Sequence, residues 1–188
     1  RELNVNLIGV GAGYSYVVSG PTHQCYEDIS IIRSLPNIGI YSPSDQIIAQ
    51  QIPAHLIKNK GIKYIRLDAQ ILEIIDNNNN TFKNGYRVLR EGKDIMLVST
   101  GYLTHTAIKI SNNLINKGYS VGVIALINLT EFNIKAFLKK IDSINLIVTM
   151  EEGFSGRGGM DSIFLNLFNQ FNLNKKIKTY GVSPNYLF

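Results

Sequence analysis

His23 lies in a glycine-bounded loop, Gly20-Pro21-Thr22-His23, beyond an apolar segment, Asn4-Val5-Asn6-Leu7-Ile8-Gly9-Val10, with the make-up of a buried strand. Imidazole titrates near neutral pH, at about 6.5, so it can accept a hydrogen bond, donate one or carry a proton. Loops beyond the carboxyl ends of strands are where open parallel sheets place ligands. Gly11-Ala12-Gly13-Tyr14-Ser15-Tyr16 precedes the histidine and offers two rings, Tyr14 and Tyr16, either to line a cleft or to pack under the glycine loop; Ser19 adds a hydroxyl. Cys25 is close to His23, but neighbouring side chains seldom point at each other, and the same reasoning assigns Glu151-Glu152 to a structural loop rather than to acid/base work. His55, between Ala54 and Leu56 on a helix, reads as a boundary residue, and His105 as a capping or surface group.

The elements that must hold this loop follow from periodicity. After the strand at 4–10, Glu27 and Asp28 enter a short helix whose dipole favours acids at its start, and Pro36-Asn37 ends it. Ile38-Gly39-Ile40-Tyr41 reads as a strand, Ser44 as the cap of a helix carrying Ile47, Ile48, Ile52 and Leu56, and Lys63 to Leu67 as the next strand. The alternation of strand and helix is that of a parallel sheet. A polar run, Asp76 to Thr81, interrupts it; Ile71–Ile75 and Tyr86–Leu89 on either side are expected to pair as a hairpin within a linker over 71–91. Alternation resumes at Asp94. Strands are expected at 94–99, 120–126, 144–149 and 176–181, and helices at 103–117, 132–141 (capped by Thr130) and 160–171. The fold class is α/β, with two three-layer units of mostly parallel sheet, 1–70 and 92–188.

Composition narrows the function. Across 188 residues, 45% are hydrophobic and 18% charged, which describes a chain able to bury a core rather than a disordered one. A single cysteine excludes an internal disulfide framework and a multi-cysteine zinc site. The formal charge of +5 is spread without a basic stripe or interleaved aromatics, which argues against nucleic acid. No apolar run approaches the roughly 18 to 20 residues that span a bilayer, and no signal-peptide pattern opens the chain; a cytoplasmic protein without membrane attachment is expected.

The order and spacing of Gly11 to Tyr16, Ser19 to Gln24, Glu27-Asp28, Arg33, Pro36-Asn37 and Ser42-Pro43-Ser44-Asp45 resemble the pyrimidine-binding domain of transketolases and 1-deoxyxylulose-5-phosphate synthases. The resemblance continues through Tyr64-Ile65-Arg66-Leu67, then Gly92 to Gly101, and Val148 to Glu152 with Gly156, Gly158 and Gly159, as in the transketolase C-terminal domain. It is nearest to the C-terminal subunit of split bacterial transketolases. It implies a partial pyrimidine-binding domain followed by a transketolase C-terminal domain, and a thiamine-diphosphate enzyme that moves a two-carbon ketol unit between sugars. His23 would be the catalytic residue at the donor's hydroxyl groups, with Ser19 and Arg66 as further substrate contacts and Tyr14 and Tyr16 at the cofactor.

Departures from the family refine these expectations. Ser19 replaces an aspartate, Gly11 a histidine, and Gly153 a histidine; Ala69 replaces an arginine that clamps substrate phosphate, which favours an unusual or modified sugar. The activating glutamate, the ring-lining aromatics, and the domain holding the diphosphate and Mg2+ would lie upstream or on an N-terminal partner subunit, so this chain alone is expected to bind neither cofactor nor metal and to be inactive. Arg1 then looks like an entry into the middle of a fold, and a homodimer is expected. Remaining alternatives are a 1-deoxyxylulose-5-phosphate synthase, a 2-oxo acid dehydrogenase beta-type subunit, a non-catalytic assembly module, and an inactive fragment.

Overall fold

A computed structural model describes residues 3–75 and 83–185. Its first sheet contains β1 (Val5–Val10), β2 (Ile38–Tyr41) and β3 (Ile62–Leu67), all parallel, in the order β1-β3-β2. The connections carry α1 (Asp28–Arg33) and α2 (Gln46–Lys58). The second sheet has the order β4-β6-β5-β7-β8, from β4 (Tyr86–Arg90), β5 (Ile95–Ser99), β6 (Val121–Leu126), β7 (Leu146–Phe154) and β8 (Lys176–Val182). Only β4 runs antiparallel. Ala107 on α3 (Leu103–Ile115) packs with Leu97, Val121 and Val123 on one face; Phe137 on α4 (Ile134–Ile141) and Phe164 on α5 (Met160–Gln170) pack with Val98, Ile124 and Ile147 on the other. Each sheet is thus the middle of three layers, as the alternating pattern predicts.

The two sheets do not have separate cores. Ile29 and Ile40 of the first lie in one cluster with Met96, Phe137 and Phe164 of the second, while Tyr41, Ile48 and Ile65 share another with Ala125 and Ile127. Backbone joins them too. The segment after β6 runs antiparallel beside β2, with Ser42 N–H donating to Ile127 O and Leu129 N–H to Ile40 O, both 2.8 Å. His105 spans the same junction through Nε2, 2.9 Å from Ser44 O.

Four local expectations are corrected. Ile71–Ile75 form no strand, and Tyr86–Arg90 pairs with β6 instead, because β4 gains both a ladder and a buried Tyr86 by joining the larger sheet. Asp45, not Ser44, caps α2: its backbone is extended and its carboxylate accepts from Ile48 N–H at 2.9 Å. Asn133, not Thr130, caps α4, while Thr130 accepts from Ile40 N–H at 3.1 Å across the junction. β1 is not buried. Val5, Leu7, Ile8 and Val10 are exposed, since α1 and α2 cover β3 and β2 but not this edge strand.

Asp45 has a second task. Its Oδ2 lies 2.9 Å from Arg87 Nη1, both side chains being buried, so the pair ties the start of α2 to β4. Removing one partner of a buried ion pair costs about 3–5 kcal/mol, against about 0–1 for an exposed pair. Asp45→Ala is therefore expected to lower unfolding free energy by about that larger amount in urea denaturation. Glu91→Ala, which breaks only the exposed Glu91–Lys140 contact, should shift it by less than about 1 kcal/mol.

Candidate functional site

The loop after β1 is held from below by the last residue of β3. Gly11 N–H and Ala12 N–H both donate to Leu67 O at 3.0 Å, turning the chain across the carboxyl end of the sheet. Gly13 and Cys25 then exchange backbone hydrogen bonds of 2.9 and 3.0 Å, which closes residues 13–25 into a loop. Ser15 Oγ donates to Ala12 O at 2.7 Å and accepts from Ala69 N–H at 3.3 Å. A 3-10 turn, Val17–Ser19, and a hydrogen bond from His23 N–H to Gly20 O shape the tip.

Of the predicted site residues, the structure brings Tyr16 and His23 together. Both are exposed, with ring centroids 6.4 Å apart in an edge-to-face arrangement. Thr22 Oγ1 lies 2.9 Å from His23 Nδ1, so this nitrogen is already engaged and Nε2 is the one left for a ligand. Ser19 is exposed at the end of the 3-10 turn. Tyr14 turns inward, its ring 4.8 Å from that of Tyr26, which in turn lies 4.9 Å from Phe154 of β7.

Arg66 is elsewhere. Its side chain is 1% exposed; Nε lies 2.7 Å from Asp28 Oδ2, Nη1 3.5 Å from Glu152 Oε2, and Nη2 donates to Cys25 O at 3.4 Å. The guanidinium is thus enclosed by Asp28, Glu152 and the Cys25 carbonyl. Burial works against the Arg66 charge, but Asp28 and Glu152 outweigh it and raise its pKa above the ordinary value. Burial, with the Asp28 carboxylate beside it, also pushes the Tyr64 hydroxyl well above the usual phenol range; that hydroxyl donates to Asp28 Oδ2 at 2.9 Å.

The carboxylates around Arg66 are what the sequence patterns did not flag. Asp28 reads as a helix-dipole partner, but its carboxylate serves Arg66. Glu151 and Glu152 read as loop residues, but β7 continues through Phe154, so the two point to opposite faces of a strand. Glu152 faces the glycine loop: a Cβ placed on Gly13 would sit 2.6 Å from Glu152 Cδ, and Gly13 has φ +54°, a conformation and a space that suit glycine. Glu151 faces α5 and accepts from Asp161 N–H at 2.8 Å. Arg33 closes the cluster by donating to Gly158 O and, at 2.9 Å, to Gly159 O. The findable signal was the alternation of strand faces, given two adjacent acids at the end of an apolar run.

Among the described residues, no group of three or more His, Cys, Asp and Glu side chains is arranged to hold a metal ion, and no helix is long and apolar enough to cross a membrane.

A histidine on an exposed glycine loop at the carboxyl end of a parallel sheet, packed against a second α/β unit, defines an α/β protein. Residues 85–185 match the family described as "Transketolase, C-terminal domain". The chain belongs to the transketolase family. It is 29% identical over 97% of its length to one subunit of the apulose-4-phosphate transketolase of Actinobacillus succinogenes, covering 59% of that protein. It is 30% identical over 85% of its length to a 6-deoxy-6-sulfo-D-fructose transketolase subunit of Clostridium sp., covering 50% of it. Among solved structures, a split gene transketolase described as an inactive beta4 tetramer superposes with a TM-score of 0.85 and 25% identity, over 97% of this chain and 58% of that one. The chain thus spans between half and three fifths of these relatives.

Burial raises the pKa of Glu151 above the ordinary carboxylate value, although the N–H groups of Met160 and Asp161 oppose it. A carboxyl group whose pKa is raised in the fold favours the folded state when protonated, and that contribution is lost as pH rises through the folded value. Glu151→Gln mimics the protonated form. Its melting temperature should therefore exceed that of the parent at neutral pH, with the gain shrinking as pH falls and Glu151 itself takes up a proton; scanning calorimetry at several pH values reads both.

Proposed function

We propose that this chain is the C-terminal part of a thiamine-diphosphate-dependent transketolase that moves a two-carbon ketol unit from a ketose to an aldose, completed by an N-terminal counterpart. The observation that carries this reading is the Tyr16–His23 pair, exposed on the loop beyond β1 with Nδ1 engaged by Thr22. Thiamine diphosphate, when bound, supplies the electron sink that allows the ketose carbon–carbon bond to break. His23 Nε2 would hydrogen-bond a donor hydroxyl beside that bond and move its proton as the bond opens or re-forms. Tyr16 flanks the imidazole edge-to-face, and Ser19 offers a neutral hydrogen bond. Because Ala69 stands where relatives place an arginine, and its N–H is already given to Ser15, the donor or acceptor is a sugar derivative not gripped by a guanidinium at that point.

The need for a counterpart is supported by the surface. Val5, Leu7, Ile8 and Val10 are exposed along β1, which pairs on one side only among the described residues, and Val17 and Val18 extend the apolar surface on the loop. An unpaired apolar strand edge of this kind is a template for another chain. On this reading the counterpart also carries the diphosphate and Mg2+, and the whole assembles as a dimer of such pairs. Calorimetric titration of this chain with thiamine diphosphate and magnesium is expected to give no micromolar binding until the counterpart is added. A micromolar dissociation constant for the chain alone would contradict the arrangement.

In the complete enzyme, His23→Ala is expected to lower kcat/KM for a ketose donor by about 10²- to 10⁴-fold with cofactor affinity unchanged, since a proton-transferring contact acts in the transition state. Ser19→Ala should cost about tenfold or less. Steady-state kinetics with hydroxypyruvate and with pyruvate also separates ketol transfer from the chemistry of a synthase or an oxo-acid dehydrogenase. Turnover by the His23→Ala enzyme at the parental rate would remove the histidine from the site.

A further inference from the structure

Glu152 reaches across the junction from the second sheet to the first. It leaves β7 on the side of the glycine loop, its carboxylate meets Arg66 of β3 at 3.5 Å, and its side chain fills the space that a Cβ on Gly13 would need. Burial raises the Glu152 carboxyl above the ordinary carboxylate value, and Arg66 and the Tyr14 N–H, which also faces it, oppose that rise. Arg66, fixed by Asp28 on its other side, donates to Cys25 O, and Cys25 is bridged to Gly13. Glu152 therefore touches both ends of the closed loop, one end directly at Gly13-Tyr14 and the other through Arg66 at Cys25. Tyr16 and His23 lie between those ends. Phe154, two residues further along the same face, supports the same loop through Tyr26 and Tyr14.

The geometry points to Glu152 as a positioning residue: the second unit sets the placement of His23 and Tyr16 by holding both ends of the glycine loop through one buried carboxylate. This deepens the proposed function and rests on it for the kinetic effect, but not for the structural one. A carboxylate suits the task through its charge: Oε2 lies 3.5 Å from Arg66 Nη1, an ion pair rather than a hydrogen bond. A glutamine removes that charge, so Arg66, and with it the Cys25 end of the loop, loses one of its two carboxylates.

The test uses the complete enzyme assembled with its N-terminal counterpart, with histidines labelled in the ring for NMR, so that His55 and His105 serve as internal references. Glu152→Gln is expected to shift the His23 ring signals and to lower kcat about ten- to hundredfold, as a displacement of order 1 Å does, with KM for the donor little changed. Glu151→Gln, whose side chain leaves β7 on the opposite face, should keep parental His23 signals and turnover. If the Glu152→Gln enzyme does not assemble, Glu152→Asp keeps the charge and both acceptors but draws them back by one methylene, and should show a smaller shift and loss. Parental His23 signals in the Glu152 variants overturn the inference, as does an equal shift in Glu151→Gln. A silent His23→Ala variant would instead defeat the proposed function, while the ring signals would still decide whether Glu152 places the loop.

Discussion

A guanidinium kept from water needs carboxylates, and the arrangement around Arg66 follows from that need. Desolvating a charged group costs several kcal/mol, recovered only with close partners of opposite sign. Asp28 comes from the helix before β2 and Glu152 from a strand of the other sheet, so the requirement is met only when both units are in place. Around the resulting triad lie the Gly13–Cys25 bridge and the mutually tilted Tyr14, Tyr26 and Phe154 rings. The loop that presents His23 is the outer surface of this buried charge system.

The merged cores give the same dependence in apolar terms. Ile29 and Ile40 have no sufficient cover within three strands and two short helices, and they find it among Phe137, Phe164 and Met96. Three parallel strands with one open edge would be marginal alone. Burial across the junction, the backbone ladder between β2 and 127–129, and the Asp45–Arg87 pair together make the first unit a graft on the second.

How much of this was legible beforehand depended on range. Periodicity found the strands and helices because each is set by side chains a few residues apart, and the Gly-Pro-Thr-His segment located the exposed histidine because loop chemistry is also local. Helix caps were misplaced where the competing partner was distant: Thr130 is drawn to Ile40, and Asp45 caps because its carboxylate also meets Arg87. Arg66 entered as a substrate contact through the family resemblance alone; its burial rests on Asp28 and Glu152, residues too far away in sequence for a local pattern to join. The hairpin failed for the same reason, since the strand partner of Tyr86–Arg90 is β6, far along the chain.

The sequence separation between Arg66 and Glu152 has a consequence in time. At about 5–20 residues per second, roughly 85 residues of synthesis separate the emergence of the arginine from that of its second carboxylate, an interval on the order of ten seconds. During it the nascent first unit has one acid for a guanidinium that will be buried between two, and its apolar helix face has nothing to pack on. Pairing over such a span is also slow to close, because chain entropy must be lost before the contact rewards it. The loop bearing His23 therefore gains its full set of buried partners only once β7 has been made and docked.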